Sequence, residues 1–207
     1  MNTTRQKILD TAERLFGEFG YSATSLRHII SDAQVNLAAI HYHFGSKLDL
    51  LDQVILRKIG PMNERRMELL DQFESDSAPA PAPVDKILEA FIAPAILIEK
   101  SPEFVKLMGR VHAEGLMPEI IKRHFQPIFE RFMAAMRNAL PGVSENELLW
   151  KAHFAMGAMA HALTARPELI PHSKQESPIN VSKMLVAFVS SGFRAPAILE
   201  KETEVNR

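Results

Sequence analysis

The sequence predicts an all-α protein of about nine helices, and three of its features lead to this class. Apolar residues recur three and four positions apart along most of the chain, which is the spacing of one helix face. No stretch alternates β-branched with polar residues as a half-buried strand does. Capping residues and prolines divide the periodic stretches into pieces of helical length. We expect a three-helix N-terminal domain over residues 1–46 and a larger helical domain over residues 47–207.

Composition excludes several classes of protein. The 207 residues include 24 Lys and Arg, 25 Asp and Glu, no cysteine and 46 % apolar residues, with a formal net charge of −1. This apolar content can form a core, and without cysteine there are no disulfides or thiolate metal sites. We expect no metal, no cofactor and a cytoplasmic location. The longest apolar run, Ala90–Ile98, is about half of a membrane span, and the N-terminus does not resemble a signal peptide, so no membrane role is expected.

Helix caps divide the first part of the chain into four predicted helices. The first is expected to end at Gly20, and the fourth to be interrupted by Gly60-Pro61. A turn of three residues, Gln34 to Asn36, joins the second helix to the third. The residues expected to cap the four N-termini are Thr3, Thr24, Asn36 and Ser46.

Prolines organise the rest of the chain. The alternating Ala-Pro segment within residues 75–83 predicts an extended loop between helices. Pro94 and Pro127 fall inside helical patterns and are expected to bend or loosen those helices. The further helices are expected over residues 84–99, 102–113, 117–139, 145–164 and 178–194.

Two short predicted helices, Thr24–Ala33 and Leu37–His43, follow a longer one and match the helix-turn-helix plan in length and order. In this plan the second helix of the pair enters the DNA major groove. Helical spacing commits three of its residues to the core: Leu37, Ile40 and Phe44. The outward residues are Ala38, Ala39, His41, Tyr42 and His43, whose small, imidazole and phenol side chains suit contacts with base edges and phosphates.

The segment Val35 to Lys47, VNLAAIHYHFGSK, resembles the N-terminal DNA-binding domain of TetR-family transcriptional regulators. The likeness extends back through Gly20-Tyr21 and covers the first 50 residues. It implies that Thr24, Ser25 and Arg27 approach the DNA backbone. It also implies that Ala38, Ala39 and His41 face the bases, and that Tyr42, His43 and Lys47 bind phosphate. Gln34 departs from the family's usual turn glycine, and His41 from its usual tyrosine or asparagine.

Several of these residues have alternative roles. Tyr42 and Phe44 could be core aromatics, and Arg27 and Lys47 could be solvated charges. A metal site at His41 and His43 is not expected, because two residues that are two apart on a helix project about 200° from each other.

A ligand pocket is predicted in the C-terminal region. Methionines, aromatic residues and proline-bent helices can form an adaptable apolar cavity, although an ordinary core is the alternative for each residue. Arg110 and His112 are polar groups that could meet a carboxylate or thioester of the ligand. The predicted lining comprises Phe91, Ile98, Met108, Arg110, His112, Phe125, Phe129, Met133 and Met156.

The last two predicted helices are expected to form a two-fold dimer interface. Small residues recur along 145–164, which lets helices approach closely, and 178–194 supplies larger apolar residues. The TetR resemblance implies the same pairing, while burial within the monomer is the alternative. The predicted interface residues are Ala152, Ala155, Met159, Leu163, Met184, Leu185 and Phe188.

The expected function is that of a repressor which binds palindromic double-stranded operator DNA as a homodimer and is released by a small apolar ligand. Short apolar segments around Ala90-Phe91 and Leu149-Trp150 resemble the fatty-acid-responsive, PsrA-type subgroup, which implies a fatty acid or acyl-CoA as ligand. A helical protein-interaction scaffold and a small all-α enzyme are the alternatives. An enzyme is not expected, because the sequence has no His-Glu-x-x-His, Gly-x-Ser-x-Gly or glycine-rich phosphate motif.

Overall fold

A computed structural model describes residues 3–97, 102–164 and 176–196 of the chain. These residues form nine helices without a strand among them, which confirms the all-α prediction. The first six are α1 Thr4–Phe19, α2 Leu26–Ala33, α3 Leu37–Phe44, α4 Lys47–Ser77, α5 Val84–Leu97 and α6 Pro102–Ala113. Three consecutive segments make up α7: Met117–Ile120, the π-helical turn Ile121–Phe125 and Gln126–Ala139. The last two are α8 Glu145–Thr164 and α9 Pro178–Arg194.

The predicted caps hold at α1 and α3 but not at α2. The Thr3 hydroxyl accepts a hydrogen bond from the Gln6 amide, and Gly20 ends α1 at a φ of 89°. Asn36 caps α3 as expected. The residue that caps α2 is Ser25 and not Thr24, because the Ser25 hydroxyl accepts the His28 amide at 3.1 Å.

The predicted interruption of the fourth helix at Gly60-Pro61 is wrong. Helix α4 continues through both residues to Ser77. A proline removes one main-chain hydrogen bond from a helix interior, and burial of neighbouring side chains can offset that loss. Ile59 and Met62, which flank the pair, are both buried.

Proline loosens α7 where the sequence predicted it. The π-helical turn Ile121–Phe125 lies directly before Gln126-Pro127, so the wide turn precedes the residue that lacks an amide proton. Helix α5 continues past Pro94 as far as Leu97, while residues 98 and 99, where this helix was expected to end, lie outside the described residues.

The chain forms two compact units. The first comprises Met1–Pro61 with Glu99–Pro127, and the second comprises Met62–Ile98 with Ile128–Arg207. In the first unit α6 packs on α1, and in the second α9 packs on α5 and α8. These units differ from the expected division at residues 46 and 47, because the first half of α4 and all of α6 fold together with the N-terminal helices.

Both units have apolar cores. The first core is formed by the inner face of α1 together with Ile29, Ile40 and Phe44. Leu37, expected in this core, is 43 % exposed because it lies at the first position of α3. The second unit buries residues such as Ile87, Leu88, Phe132, Met133 and Phe193. No helix within the described ranges is long and apolar enough to cross a membrane.

The turn between α2 and α3 depends on one left-handed residue. Gln34 has φ 54° and ψ 48°, and the Val35 amide donates to the Ile30 carbonyl at 3.1 Å. This hydrogen bond closes the C-terminus of α2 and redirects the chain. A side chain with a Cβ is strained in that conformation by about 1 kcal/mol.

Gln34→Gly is therefore expected to raise the free energy of unfolding by about 0.5 kcal/mol, because the relief of strain exceeds the added entropy of the unfolded chain. Urea denaturation measures the change. The matched control is Gln72→Gly on the exposed surface of α4, which should lower the same free energy by about 1 kcal/mol. Equal losses in both variants would contradict the strain at Gln34.

Candidate nucleic-acid interface

The outer face of α3 is accessible to solvent. Ile40 and Phe44 fix the opposite face in the core. Ala38 and His41 are exposed, and Tyr42 is 86 % exposed, so Tyr42 is not a core aromatic. Ala39 and His43 are half-buried. This face has small side chains at its N-terminal end and polar side chains further along, which suits contact with a major groove.

Local contacts orient the two imidazoles. The His41 Nδ1 lies 3.0 Å from the Gly45 carbonyl oxygen. A carbonyl can only accept, so Nδ1 carries the proton and Nε2 is left for another partner. The His43 ring packs edge-on to the Tyr42 ring at 5.0 Å between centroids. This contact limits the orientations of the exposed phenol.

Two exposed polar residues, Ser25 and Arg27, lie at the N-terminus of α2. Arg27 is exposed and makes no hydrogen bond or ion pair with any residue that the structure describes. The Ser25 hydroxyl is exposed at the helix N-terminus, where main-chain amides favour an anion. Both positions suit the approach to a DNA backbone that the sequence predicted for them.

The prediction that Thr24 meets DNA needs correction. Thr24 is fully buried, and its hydroxyl lies 2.7 Å from the Gly20 carbonyl and 3.2 Å from the Leu15 carbonyl. A buried hydroxyl that donates to the end of α1 has no access to a phosphate. Thr24 therefore joins α1 to α2.

Lys47 is also placed differently from its prediction. Its ammonium donates to the Thr24 carbonyl at 2.7 Å and lies 4.2 Å from the centre of the Tyr21 ring. Burial lowers the pKa of Lys47, while the charge of Glu114 opposes that shift. In this arrangement the ammonium is bound within the protein and not directed to a phosphate, because a carbonyl and an aromatic face already satisfy it.

Glu114, which the sequence did not single out, holds the α1–α2 turn. Its carboxylate accepts hydrogen bonds from the Tyr21 amide at 2.9 Å, the Ser22 amide at 2.7 Å and the Ser22 hydroxyl at 2.6 Å. A Cβ at Gly20, where φ is 89°, would collide with this carboxylate. The sequence shows the need for glycine but not the partner, because Glu114 lies more than 90 residues away.

The electrostatics of Glu114 agree with this role. Partial burial opposes ionisation, but hydrogen bonds from Ser22 and Tyr21, with the charge of Lys47, hold the pKa of the Glu114 carboxyl below its usual value. Burial, followed by the charges of Asp49 and Glu114, raises the pKa of the Tyr21 phenol. Glu114 is thus an ionised anchor for the turn at neutral pH.

The predicted ligand-pocket residues separate into two groups. Phe91, Phe129, Met133 and Met156 line one apolar cavity of about 40 Å³ in the second unit. The residues of the first unit are Met108, Arg110, His112 and Phe125, and Ile98 lies outside the described residues.

Neither of the two polar residues in the predicted lining, Arg110 and His112, lines this cavity. Arg110 is exposed and donates to the Glu18 carbonyl at 3.1 Å, so it supports the end of α1. His112 is exposed as well. Sequence reasoning also missed lining residues of the cavity, because their apolar spacing is that of an ordinary core: Ile87, Leu88, Ile92, Phe132, Met136, Ala152, Ala155, Met159 and Phe193.

The predicted dimer residues divide in the same way. Ala152 and Met159 are only 6 % and 7 % exposed, so these two face inward and the prediction for them is wrong. Ala155 is half-buried and lines both the cavity and a surface pocket that Phe154 and Phe188 also line. Met184 is 55 % and Phe188 is 73 % exposed, while Leu163 and Leu185 are half-buried. Among the exposed large apolar residues of these two helices, Ile179 lines a pocket beside α5. The other five are called the exposed apolar face of α8 and α9: Leu149, Trp150, Phe154, Met184 and Phe188.

Within the described residues, no group of three or more His, Asp or Glu side chains could hold a metal ion.

The geometry of α1 to α3 defines a helix-turn-helix protein with an accessible third helix. Known proteins identify the family. The family model "Bacterial regulatory proteins, tetR family" matches residues 8–54, and "Tetracyclin repressor-like, C-terminal domain" matches residues 89–192. The chain belongs to the TetR family, a family of regulatory proteins and not of enzymes.

Individual relatives match over shorter lengths. The transcriptional regulator AcrR of Shigella flexneri is 40 % identical over 73 residues, which are 35 % of this chain and 34 % of AcrR. The uncharacterised regulator YerO of Bacillus subtilis is 28 % identical over 142 residues, which are 68 % of this chain and 46 % of YerO. The chain thus spans between a third and a half of the length of these two curated relatives.

Solved structures show the same fold. A transcriptional regulator of Pseudomonas aeruginosa PAO1 is 16 % identical with a TM-score of 0.66, over 92 % of this chain and 90 % of that one. A TetR-family regulator of Mesorhizobium loti is 20 % identical with a TM-score of 0.55, over 93 % and 95 % of the two chains. Similarity at this level of identity concerns the fold.

Glu114→Gln tests the anchored turn. It should lower the free energy of unfolding at pH 7 by about 1 to 2 kcal/mol, because one amide oxygen replaces a carboxylate with three donors. The pKa of Glu114 is depressed in the folded state, so its contribution is present above the unfolded value of about 4.5 and is lost as the pH falls through the folded value. Urea denaturation of both proteins at pH 7 and pH 3 measures the difference, which should shrink in acid.

Glu68→Gln is the matched control, since Glu68 pairs with Arg65 on the exposed surface of α4 and with no other residue that the structure describes. It should change the free energy of unfolding by less than about 0.5 kcal/mol. A Glu114→Gln variant as stable as this control would show that the three hydrogen bonds contribute nothing.

Proposed function

We propose that this chain is a DNA-binding transcriptional regulator that acts as a homodimeric repressor on a palindromic operator. The observation that carries the proposal is the exposed outer face of α3, with Ile40 and Phe44 anchored in the core beneath it. Membership of the TetR family supports the same function. A DNA-binding regulator works where the chromosome is, so the proposed location is the cytoplasm.

The DNA contacts that we propose come from both short helices. Ala38 and Ala39 allow the α3 backbone to approach the bases, and His41 lies one turn further along the same helix. Tyr42, His43, Ser25 and Arg27 contact phosphates. Thr24 and Lys47 act indirectly by holding α2 in place.

Charge distribution favours selective over indiscriminate binding. Arg5, Lys7, Arg14, Arg27 and Lys47 are balanced by five acidic residues within the first 50 positions, so this region has no net charge. Arg14 is engaged by Asp32 at 2.5 Å and by Glu18 at 3.2 Å. Few cations are thus available for phosphates, and since nonspecific affinity comes from phosphate neutralisation, it should be low.

The homodimer uses the exposed apolar face of α8 and α9 that was defined above. Five large apolar side chains on two packed helices form the kind of surface that a partner covers. A second copy related by a two-fold axis would bury this face, because each copy presents the same patch to the other. The two α3 helices of the dimer then occupy successive major grooves about 34 Å apart.

The effector that we propose is a small, mainly apolar molecule in the cavity of the second unit. Its lining contains only Ile, Leu, Phe, Met and Ala side chains. A fatty acid or acyl-CoA suits such a lining and is the class that the PsrA-type resemblance implies. An effector that prefers a conformation with another spacing of the two α3 helices releases the operator, since only differential affinity shifts such an equilibrium.

Arg27→Ala and Tyr42→Ala are each expected to weaken binding to DNA from the chain's own promoter region about tenfold, because each removes a phosphate contact. Fluorescence anisotropy at low salt measures the affinity. Circular dichroism should be unchanged, since both side chains are exposed. Arg65→Ala, an exposed arginine of α4 that pairs locally with Glu68, is the matched control and should bind as the wild type.

The helical scaffold is the alternative that the exposed apolar face of α8 and α9 also favours. A scaffold would keep its dimer and show no specific DNA affinity. Wild-type protein without DNA affinity at low salt, or two variants as tight as the wild type, would therefore reject the proposed interface.

Phe188→Glu is expected to convert the homodimer into monomers, because dimerisation would bury an unpaired carboxylate in the exposed apolar face of α8 and α9. Sedimentation velocity measures the state. Val105→Glu, on an apolar residue of α6 that is 54 % exposed, is the control and should remain dimeric. A dimer of unchanged stability in Phe188→Glu would place the interface elsewhere.

A further inference from the structure

Arg66 is a buried cation in the second unit. It lies on α4 and is only 1 % exposed. Its Nε donates to the Phe91 carbonyl at 2.8 Å, and its Nη1 donates to the Asn63 side-chain oxygen at 3.1 Å. Both acceptors are uncharged, and Arg66 forms no ion pair with a carboxylate of the residues that the structure describes.

Other arginines of the same unit do have carboxylate partners. Arg131 pairs with Asp71 and Glu74, Arg137 with Glu145, and Arg194 with Asp85. All three are far more exposed than Arg66. Exposed charges are already stabilised by water, so these three arginines depend less on a carboxylate partner than Arg66 does. Within the described part of the chain, the buried guanidinium donates to the Phe91 and Asn63 oxygens, and both are neutral.

The charge of Arg66 persists at neutral pH. Burial lowers the pKa of its guanidinium to about 10, which still leaves the group protonated at pH 7. A buried charge without a counter-ion is costly, because neutral hydrogen bonds replace its hydration only in part. An anion that reached this group would recover part of that cost.

Arg66 lies beside the apolar cavity. Its guanidinium carbon is 4.2 Å from the centre of the Phe91 ring, and that ring meets the Phe132 ring at 4.9 Å between centroids. Both phenylalanines line the cavity, whose other walls are also apolar. The positive charge of Arg66 therefore lies directly behind Phe91, in the wall of a cavity that is lined by apolar side chains.

We propose that Arg66 binds the carboxylate of an effector whose apolar chain occupies the cavity. This assignment rests on the proposed function of a ligand-responsive regulator and adds the charge of the ligand and the residue that recognises it. Arginine suits the role, because its planar guanidinium can bind a carboxylate through two parallel hydrogen bonds.

The cavity must widen to admit such a chain, since 40 Å³ holds little more than one or two water molecules. Its lining is suited to that change. The side chains of Met133, Met136, Met156 and Met159 are unbranched and can adopt new rotamers at low cost. Movement of Phe91 would join the widened cavity to the guanidinium.

Binding of decanoate and of decanol, which share a chain length and differ in charge, tests the proposal on the full chain. Isothermal titration at pH 7 should show decanoate binding the wild type at least tenfold more tightly than decanol. Arg66→Met should lose this preference, with decanol affinity kept within twofold. Arg66→Lys should keep part of the preference, and Arg65→Met, the exposed neighbour, should keep all of it.

Equal binding of the two probes to the wild type, or no binding of decanoate, would overturn the proposal. Preference for decanoate in a folded Arg66→Met variant would overturn it as well, and would leave Arg66 as a support for α5. If Arg66→Met fails to fold by circular dichroism, Arg66→Lys decides through its reduced preference. Operator binding without a probe is measured on the same samples, so a failure of the Arg66 assignment is distinguished from a failure of the regulator function.

Discussion

Burial of one face of α1 is the constraint on which the DNA-binding unit depends. Helices α2 and α3 have eight residues each, and helices of this length are unstable in isolation. They persist because Ile29, Ile40 and Phe44 pack into a core whose floor is α1. This anchoring also determines which residues of α3 face outward. The buried residues that α1 supplies are Ile8, Leu9, Ala12, Leu15 and Phe16.

Polar contacts complete what apolar packing begins. Glu114 holds the amides of Tyr21 and Ser22, and Lys47 holds the carbonyl of Thr24. In the turn after α1, the Glu114 carboxylate thus holds the main-chain amides, and the Lys47 ammonium holds the carbonyl that follows them. Residues that resemble nucleic-acid contacts in the sequence can serve this internal purpose, so the surface offered to DNA is smaller and less charged than a count of its cations suggests.

Periodicity and caps predicted nearly every helix and the cap at Asn36, because these depend on local chemistry. Thr24 and Ser25 are both good caps, and only the depth of the core decides between them. Helix α8 is apolar on two faces, so spacing could not show that Ala152 faces inward and Phe154 outward. Glu114 and Arg66 act on residues distant in sequence, and Arg66 looks like half of a solvated Arg-Arg pair until its burial is known.

In the proposed function, two copies of this chain recognise one specific palindrome through their α3 helices. Selection from a pool of random DNA duplexes by the wild-type protein, followed by sequencing of the retained fraction, tests it most directly. The proposed dimer should enrich one palindromic sequence whose half-sites are centred about 10 base pairs, or a multiple of that spacing, apart. A retained fraction as random as the starting pool, even at low salt, would contradict it.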